Sequence, residues 1–216
     1  MRVAGVDEAG RGPVLGPMVL GVVVSDESRL ELFRDLGVRD SKALTRKARE
    51  RIFERLSSQF EIGTETVTAT QINHRDSNLN HLEFDALCLL IKKFKPDRLL
   101  VDAFQHPEKL TRQLIKLFPK LAVVAEWKAD VHHPIVSAAS IVAKVTRDRA
   151  VDRLKENHGD IGSGYPSDPK TTRWLRGQLL KNKLAIHGLP ACVRVKWSTL
   201  ERLQRPPSCD PPEDEV

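Results

Sequence analysis

Arg2-Val3-Ala4-Gly5-Val6-Asp7-Glu8-Ala9-Gly10-Arg11-Gly12 opens the chain, and its reading decides how everything after it is read. The run up to Val6 is short, apolar and unbroken, as a buried strand requires. Two adjacent carboxylates, Asp7 and Glu8, follow where that strand must end. Gly-Arg-Gly then supplies a flexible turn with one fixed positive charge. Acids gather where a divalent cation is to be held, and a glycine-rich turn lets backbone amides approach a phosphate or sugar closely. The combination points to a metal-dependent site for a phosphodiester.

Outward from this strand, residues 18–24 (MVLGVVV) are β-branched and broken by one glycine, and predict a second strand. Residues 60–69 alternate loosely, are Thr-rich, and predict a third. Residues 99–101 and 121–125 are short apolar runs suited to central buried strands. Helices are expected between and after them: from an N-cap at Thr45, over 79–94, 108–117 and 134–156, and over 169–180 behind Asp168 and Pro169. Residues 137–140 (SAAS) are small enough for the long helix to pack close against a sheet. Three early strands imply antiparallel neighbours, and the later alternation of helix and strand implies parallel ones. The expected fold is therefore α/β, a mixed five-stranded sheet flanked by helices, over residues 1–160. A C-terminal helical extension follows over 161–204, and a Pro-rich acidic, disordered tail over 205–216.

At 216 residues the chain suits one domain that buries a full core. Its net charge of +6 and pI of about 9.3 suit a polyanionic partner, nucleic acid first, although a basic soluble surface has the same composition. Cys88, Cys192 and Cys209 are widely spaced, which argues against a disulfide framework or a zinc site and suits a reducing cytoplasm. No apolar run is long enough for a membrane span, and no export signal opens the chain.

Asp102 closes the run Leu99-Leu100-Val101 and is a second acid at the carboxyl end of a buried strand. Asp130 follows the next strand. Ligands of open α/β sheets bind outside the carboxyl ends of parallel strands. If the first and fourth strands are neighbours, Asp7 and Asp102 stand side by side, with Glu8 and Asp130 at the rim. Two like charges 4 Å apart repel by about 4 kcal/mol at an effective dielectric near 20. Such a cluster needs cations, and oxygen-only donors favour Mg²⁺ or Mn²⁺ over zinc. Two such ions ~4 Å apart serve the attacking water and the leaving 3′ oxygen of an in-line displacement. Each acid has a plainer reading as a turn or cap residue, Asp130 above all.

The opening motif resembles the signature of the type 2 ribonuclease H family. Asp40-Ser41-Lys42, Val101-Asp102, Lys128-Ala129-Asp130, Pro134 to Lys144, Gly164 to Pro169 and Val193 to Trp197 follow in that family's order, with a carboxy-terminal arrangement most similar to the archaeal branch. The resemblance implies an RNase H-like fold. It also implies an endoribonuclease that hydrolyses the RNA strand of RNA–DNA hybrids and cuts 5′ of ribonucleotides embedded in duplex DNA. Asp7, Glu8, Asp102 and Asp130 are then the metal-binding catalytic acids. Gly10, Arg11 and Gly12 are the loop whose backbone grips the ribonucleotide 2′-hydroxyl region. Tyr165 stacks on the deoxyribose that follows and hydrogen-bonds the 2′-hydroxyl, the local feature that separates RNA from DNA.

Lys42 matches a residue near the substrate phosphates, and is otherwise one surface lysine among many. Ser140 and Lys144, four apart, share a helix face and could touch a phosphate near Asp130, although Ser140 also suits packing. His132 and His133 are read as exposed loop histidines. Arg173, Arg176, Lys181 and Lys183 could follow a duplex backbone or simply be solvated. A monomer is expected, and the tail carries no aromatic pair of the kind a sliding-clamp peptide uses. Two rivals stand against this reading. A small-molecule phosphatase would need Asp-x-Asp after the first strand, where this chain has Asp7-Glu8. A hybrid- or duplex-RNA-binding module with structural acids would bind without Mg²⁺-dependent cleavage.

Overall fold

The opening apolar run becomes the middle of a sheet. The computed structural model describes residues 1–38, 44–74, 76 and 78–204. Its strands are β1 (Arg2–Ala9), β2 (Met18–Asp26), β3 (Glu61–Val67), β4 (Arg98–Asp102) and β5 (Ala122–Glu126). They form one mixed sheet in the order β3-β2-β1-β4-β5. The β1–β2 and β2–β3 pairs are antiparallel, and the β1–β4 and β4–β5 pairs are parallel. The helices are α1 (Leu32–Asp35), α2 (Arg46–Gln59), α3 (Ala69–His74), α4 (Leu79–Phe94), α5 (Pro107–Leu117), α6 (Ala129–His132), α7 (Pro134–His158), α8 (Pro169–Lys181) and α9 (Ser198–Gln204). This is the mixed five-stranded sheet with flanking and C-terminal helices expected from the sequence.

The expected caps hold the expected helices. The Thr45 hydroxyl accepts from Ala48 N at 3.2 Å, and Asp168 Oδ1 accepts from Lys170 N at 2.9 Å. The third strand is shorter than its composition suggested. It stops at Val67 because Thr68 and Gln71 cap a helix reciprocally: Gln71 N donates to Thr68 Oγ1, and Thr68 N donates to Gln71 Oε1 at 2.8 Å.

Successive strand residues face opposite sides, and β1 uses both. Ala4 and Val6 enter the core beneath α4, while Val3 enters the core beneath α7. Gly5 and Gly21 let α7 lie directly on the sheet. A Cβ on Gly5 would stand 2.5 Å from Ile135 O, and one on Gly21 would stand 2.4 Å from Ala139 O. Ser137, Ala138, Ala139 and Ser140 are the buried helix residues at this approach. A third core, including Val14, Leu15, Leu175, Leu179, Val193 and Leu200, ties the C-terminal helices to the segment after β1.

Gly21→Ala forces backbone against backbone at this contact. The expected loss is about 1–3 kcal/mol of stability, the ordinary range for overpacking, read as a lower urea midpoint. An unchanged midpoint would contradict the close approach.

Candidate active site

The β1–β4 register places the acids. Val6 pairs with Val101, so Asp7 and Asp102 leave the same end of two adjacent parallel strands. Asp7 continues the Val3 and Gly5 face toward α7, where the Ser140 hydroxyl hydrogen-bonds it. Glu8 continues the Ala4 and Val6 face toward α4. Glu8 N donates to Asp7 Oδ1 at 2.7 Å, and Ala129 N donates to Asp102 Oδ1 at 3.1 Å. That last bond fixes α6 over the end of β4, with Asp130 the next residue in the chain. Asp130 is thus half-buried in a helical turn just before α7, where the sequence put it at the rim between strand and long helix.

Asp7 is only 6% exposed. Burial raises its pKa well above the ordinary carboxylate value, and the charges of Glu8 and Asp102 raise it further against the Ser140 hydrogen bond. Glu8 is raised as well, by burial and by Asp102, while its bond with Asp7 and the charge of Arg11 pull it down. Lys144 Nζ donates to Ser140 Oγ at 2.6 Å, so a chain Lys144–Ser140–Asp7 runs behind the acids. Ser140 is wholly buried.

On the other side Arg11 pairs with Glu83, an acid 1% exposed in α4, and donates to Asn80 Oδ1 at 2.8 Å. Glu83 was not singled out in the sequence, because it lies within the apolar periodicity of α4. Its signal was an acid three residues before Ala86, on a face otherwise made of Leu82, Ala86 and Leu90.

The Gly10–Gly12 turn leads from these acids to Tyr165. Gly10 has φ +95°, and its missing Cβ leaves room for the Arg147 side chain. A Cβ on Gly12 would lie 3.8 Å from the Tyr165 ring. Tyr165 is 38% exposed, with the Arg147 guanidinium 4.9 Å from its ring centroid. Val14 N donates to Gly164 O at 2.8 Å, which joins the two loops. Arg173, Arg176, Lys181 and Lys183 are all exposed. Lys42 lies outside the described residues. His133 departs from the expectation of an exposed loop: it precedes α7, is half-buried, and sits 3.2 Å from Glu126 Oε2.

Among the described residues, no three acidic, histidine or cysteine side chains form a ready-made metal cage. Mg²⁺ and Mn²⁺ sites of this chemistry use one or two carboxylates, several waters and substrate phosphate. The donors present fit such ions: they are oxygens only, and two of them are destabilised as anions by burial and by the charge of Asp102.

The family model "Ribonuclease HII" matches residues 4–200. The ribonuclease HII of Thermococcus kodakarensis is 46% identical over 94% of this chain and 90% of its own length. The structure of ribonuclease H2 from Pyrococcus horikoshii superposes with a TM-score of 0.85 at 43% identity, over 94% of this chain and 97% of that one. Ribonuclease HII of Archaeoglobus fulgidus, solved in complex with PCNA, also superposes with a TM-score of 0.85, at 37% identity over the same 94% and 97%.

A carboxyl whose folded pKa is raised costs nothing below its ordinary range and destabilises the fold as pH rises through the raised value. Asp7→Asn in EDTA is therefore expected to melt above the parent at neutral pH, with the difference vanishing below about pH 3.5, where the unfolded carboxyl is also protonated. Equal melting temperatures at neutral pH would contradict a desolvated Asp7 anion.

Proposed function

The chain belongs to the ribonuclease HII family, and from that premise we propose that Asp7, Glu8, Asp102 and Asp130 are the acids that hold its catalytic ions. Its members are metal-dependent hydrolases, endoribonucleases of RNA–DNA hybrids. Our reading adds cleavage 5′ of ribonucleotides embedded in duplex DNA, leaving 3′-hydroxyl and 5′-phosphate ends. The observation that carries it is the β1–β4 register, which sets Asp7 beside Asp102 at the carboxyl end of the parallel pair.

Two Mg²⁺ or Mn²⁺ ions, when bound, supply positive charge to the attacking water and to the leaving 3′ oxygen. The residues of the chain supply position and selection. Asp7 and Asp102 fix the line of attack because each is tethered by hydrogen bonds, to Glu8 N and to Ala129 N. The Lys144–Ser140 link holds the Asp7 carboxylate from behind, and on this reading Lys144 and Ser140 also meet a phosphate near Asp130. Lys42 meets a substrate phosphate on this reading. Tyr165 stacks on the sugar after the ribonucleotide, its ring steadied by Arg147, and the Gly10–Gly12 backbone meets the 2′-hydroxyl. The exposed cations of α8 and the turn after it follow the duplex backbone.

Among the described residues no helix is long and apolar enough to cross a membrane. The reading is of a monomer working in the cytoplasm.

The test is a DNA duplex containing one ribonucleotide, with the cut mapped with and without Mg²⁺ or Mn²⁺. Asp7→Asn and Asp102→Asn are expected to lose at least ~100-fold in rate while keeping the parent's circular dichroism. Cleavage that survives both changes in a nuclease-free preparation would end the reading. Tyr165→Ala should slow the same cut severalfold or more, and an unchanged rate would remove its role at the junction.

A further inference from the structure

Arg194 is wholly buried, yet no carboxylate among the described residues forms an ion pair with it. Burial, and then repulsion from Arg147, lower its pKa to about 9. Its guanidinium is spent entirely on backbone carbonyls of the loop after β1. Nε donates to Gly16 O at 2.9 Å, Nη1 to Arg11 O at 3.1 Å and Nη2 to Gly10 O at 2.7 Å. Trp197 lies against it, 5.0 Å from ring centroid to guanidinium, and donates from Nε1 to Gly12 O at 3.2 Å. A buried cation that serves three carbonyls of one short loop is an expensive way to make a turn, and calls for a reason beyond packing.

The reason lies in peptide geometry. In a planar trans peptide, the C=O of one residue and the N–H of the next point in opposite directions. Holding Gly10 O and Arg11 O inward therefore turns Arg11 N–H and Gly12 N–H away from Arg194. Gly12 is exposed, and its neighbour across the opening is the Tyr165 ring. After Gly12 comes Pro13, which has no N–H, so this turn offers outward amides at Arg11 and Gly12.

We propose that Arg194, seconded by Trp197, is a positioning residue for ribonucleotide selection: it fixes from beneath the direction of the Arg11 and Gly12 amides that meet the 2′-hydroxyl. It touches no substrate. This inference rests on the proposed function, since it presumes that the loop reads the sugar. The fork matters as well as the charge. A lysine at 194 keeps a cation but lacks the rigid planar donors needed to serve three carbonyls at once.

The experiment measures affinity by fluorescence anisotropy in EDTA, where no cleavage occurs. The probes are a duplex with one ribonucleotide and the same duplex in all-DNA form. Parent, Arg194→Lys and Trp197→Phe are compared, each with a melting curve. Phe at 197 keeps a ring under the guanidinium and deletes the bond to Gly12 O. The parent is expected to prefer the ribonucleotide duplex. Arg194→Lys should lower that preference about 10-fold, the worth of roughly one charge-assisted bond, with all-DNA affinity unchanged, because phosphate contacts are elsewhere. Trp197→Phe should lower it in the same direction by less. A purely structural role would weaken both duplexes together, and that result overturns the inference, as does a parent-like preference in either folded variant. If Arg194→Lys does not fold, Trp197→Phe decides alone. A parent that binds both duplexes equally fails the functional reading itself and takes this inference with it.

Discussion

The constraint on which the structure depends is negative charge held out of water at the junction of β1 and β4. Asp7 is buried against α7, and among the described residues the charges that act on it, Glu8 and Asp102, are of the same sign. A domain built for stability alone would put an apolar residue there, since an unpaired buried charge is among the costliest features of a fold. The surrounding structure restrains the acids through hydrogen bonds. Ser140 and the Glu8 amide bond Asp7, the Ala129 amide bonds Asp102, and Arg11 pairs with Glu83 while its charge also acts on Glu8. The result is an oxygen-rich site whose donors fit hard cations.

The same economy shapes the neighbouring loop, built of backbone, that we propose reads the sugar. The loop after β1 has its carbonyls anchored inward by Arg194 and Trp197, and it is joined to Gly164 by Val14 N and Leu15 N. The C-terminal region therefore contributes more than bulk. It supplies both the cation beneath the loop and the aromatic ring beside it, and a shared apolar core binds it to Val14 and Leu15. Gly5 and Gly21 complete the arrangement on the opposite side, because α7 can present Ser140 to Asp7 only by lying directly on the strands.

Much of this was legible in the letters. Acids closing apolar runs gave the strand ends, and the family resemblance, with the family model covering residues 4–200, agrees with the motif order. Thr45 and Asp168 were readable as caps because capping is local chemistry. The helix from Ala69 was readable too, since Thr68 and Gln71 spell a capping box, but the Thr-rich composition of the preceding strand hid it. Other features were illegible because they are made by long-range contact. Arg194 stands 184 residues from Gly10, and nothing in its local pattern says that its guanidinium is buried under that turn. Glu83 hides in a helical apolar stripe, and the pairing of His133 with Glu126 depends on where β5 and α7 meet. Periodicity reports which face is buried; it does not report what a buried polar group is for.

The most direct measurement is crystallographic: the protein with Mn²⁺ and a duplex carrying one ribonucleotide, with diffraction recorded at the manganese edge. Anomalous density is expected within ligand distance of the Asp7 and Asp102 carboxylates, between them and the phosphate at the ribonucleotide junction. Saturating Mn²⁺ that leaves no peak there, or a phosphate bound against a different face of the sheet, would contradict it.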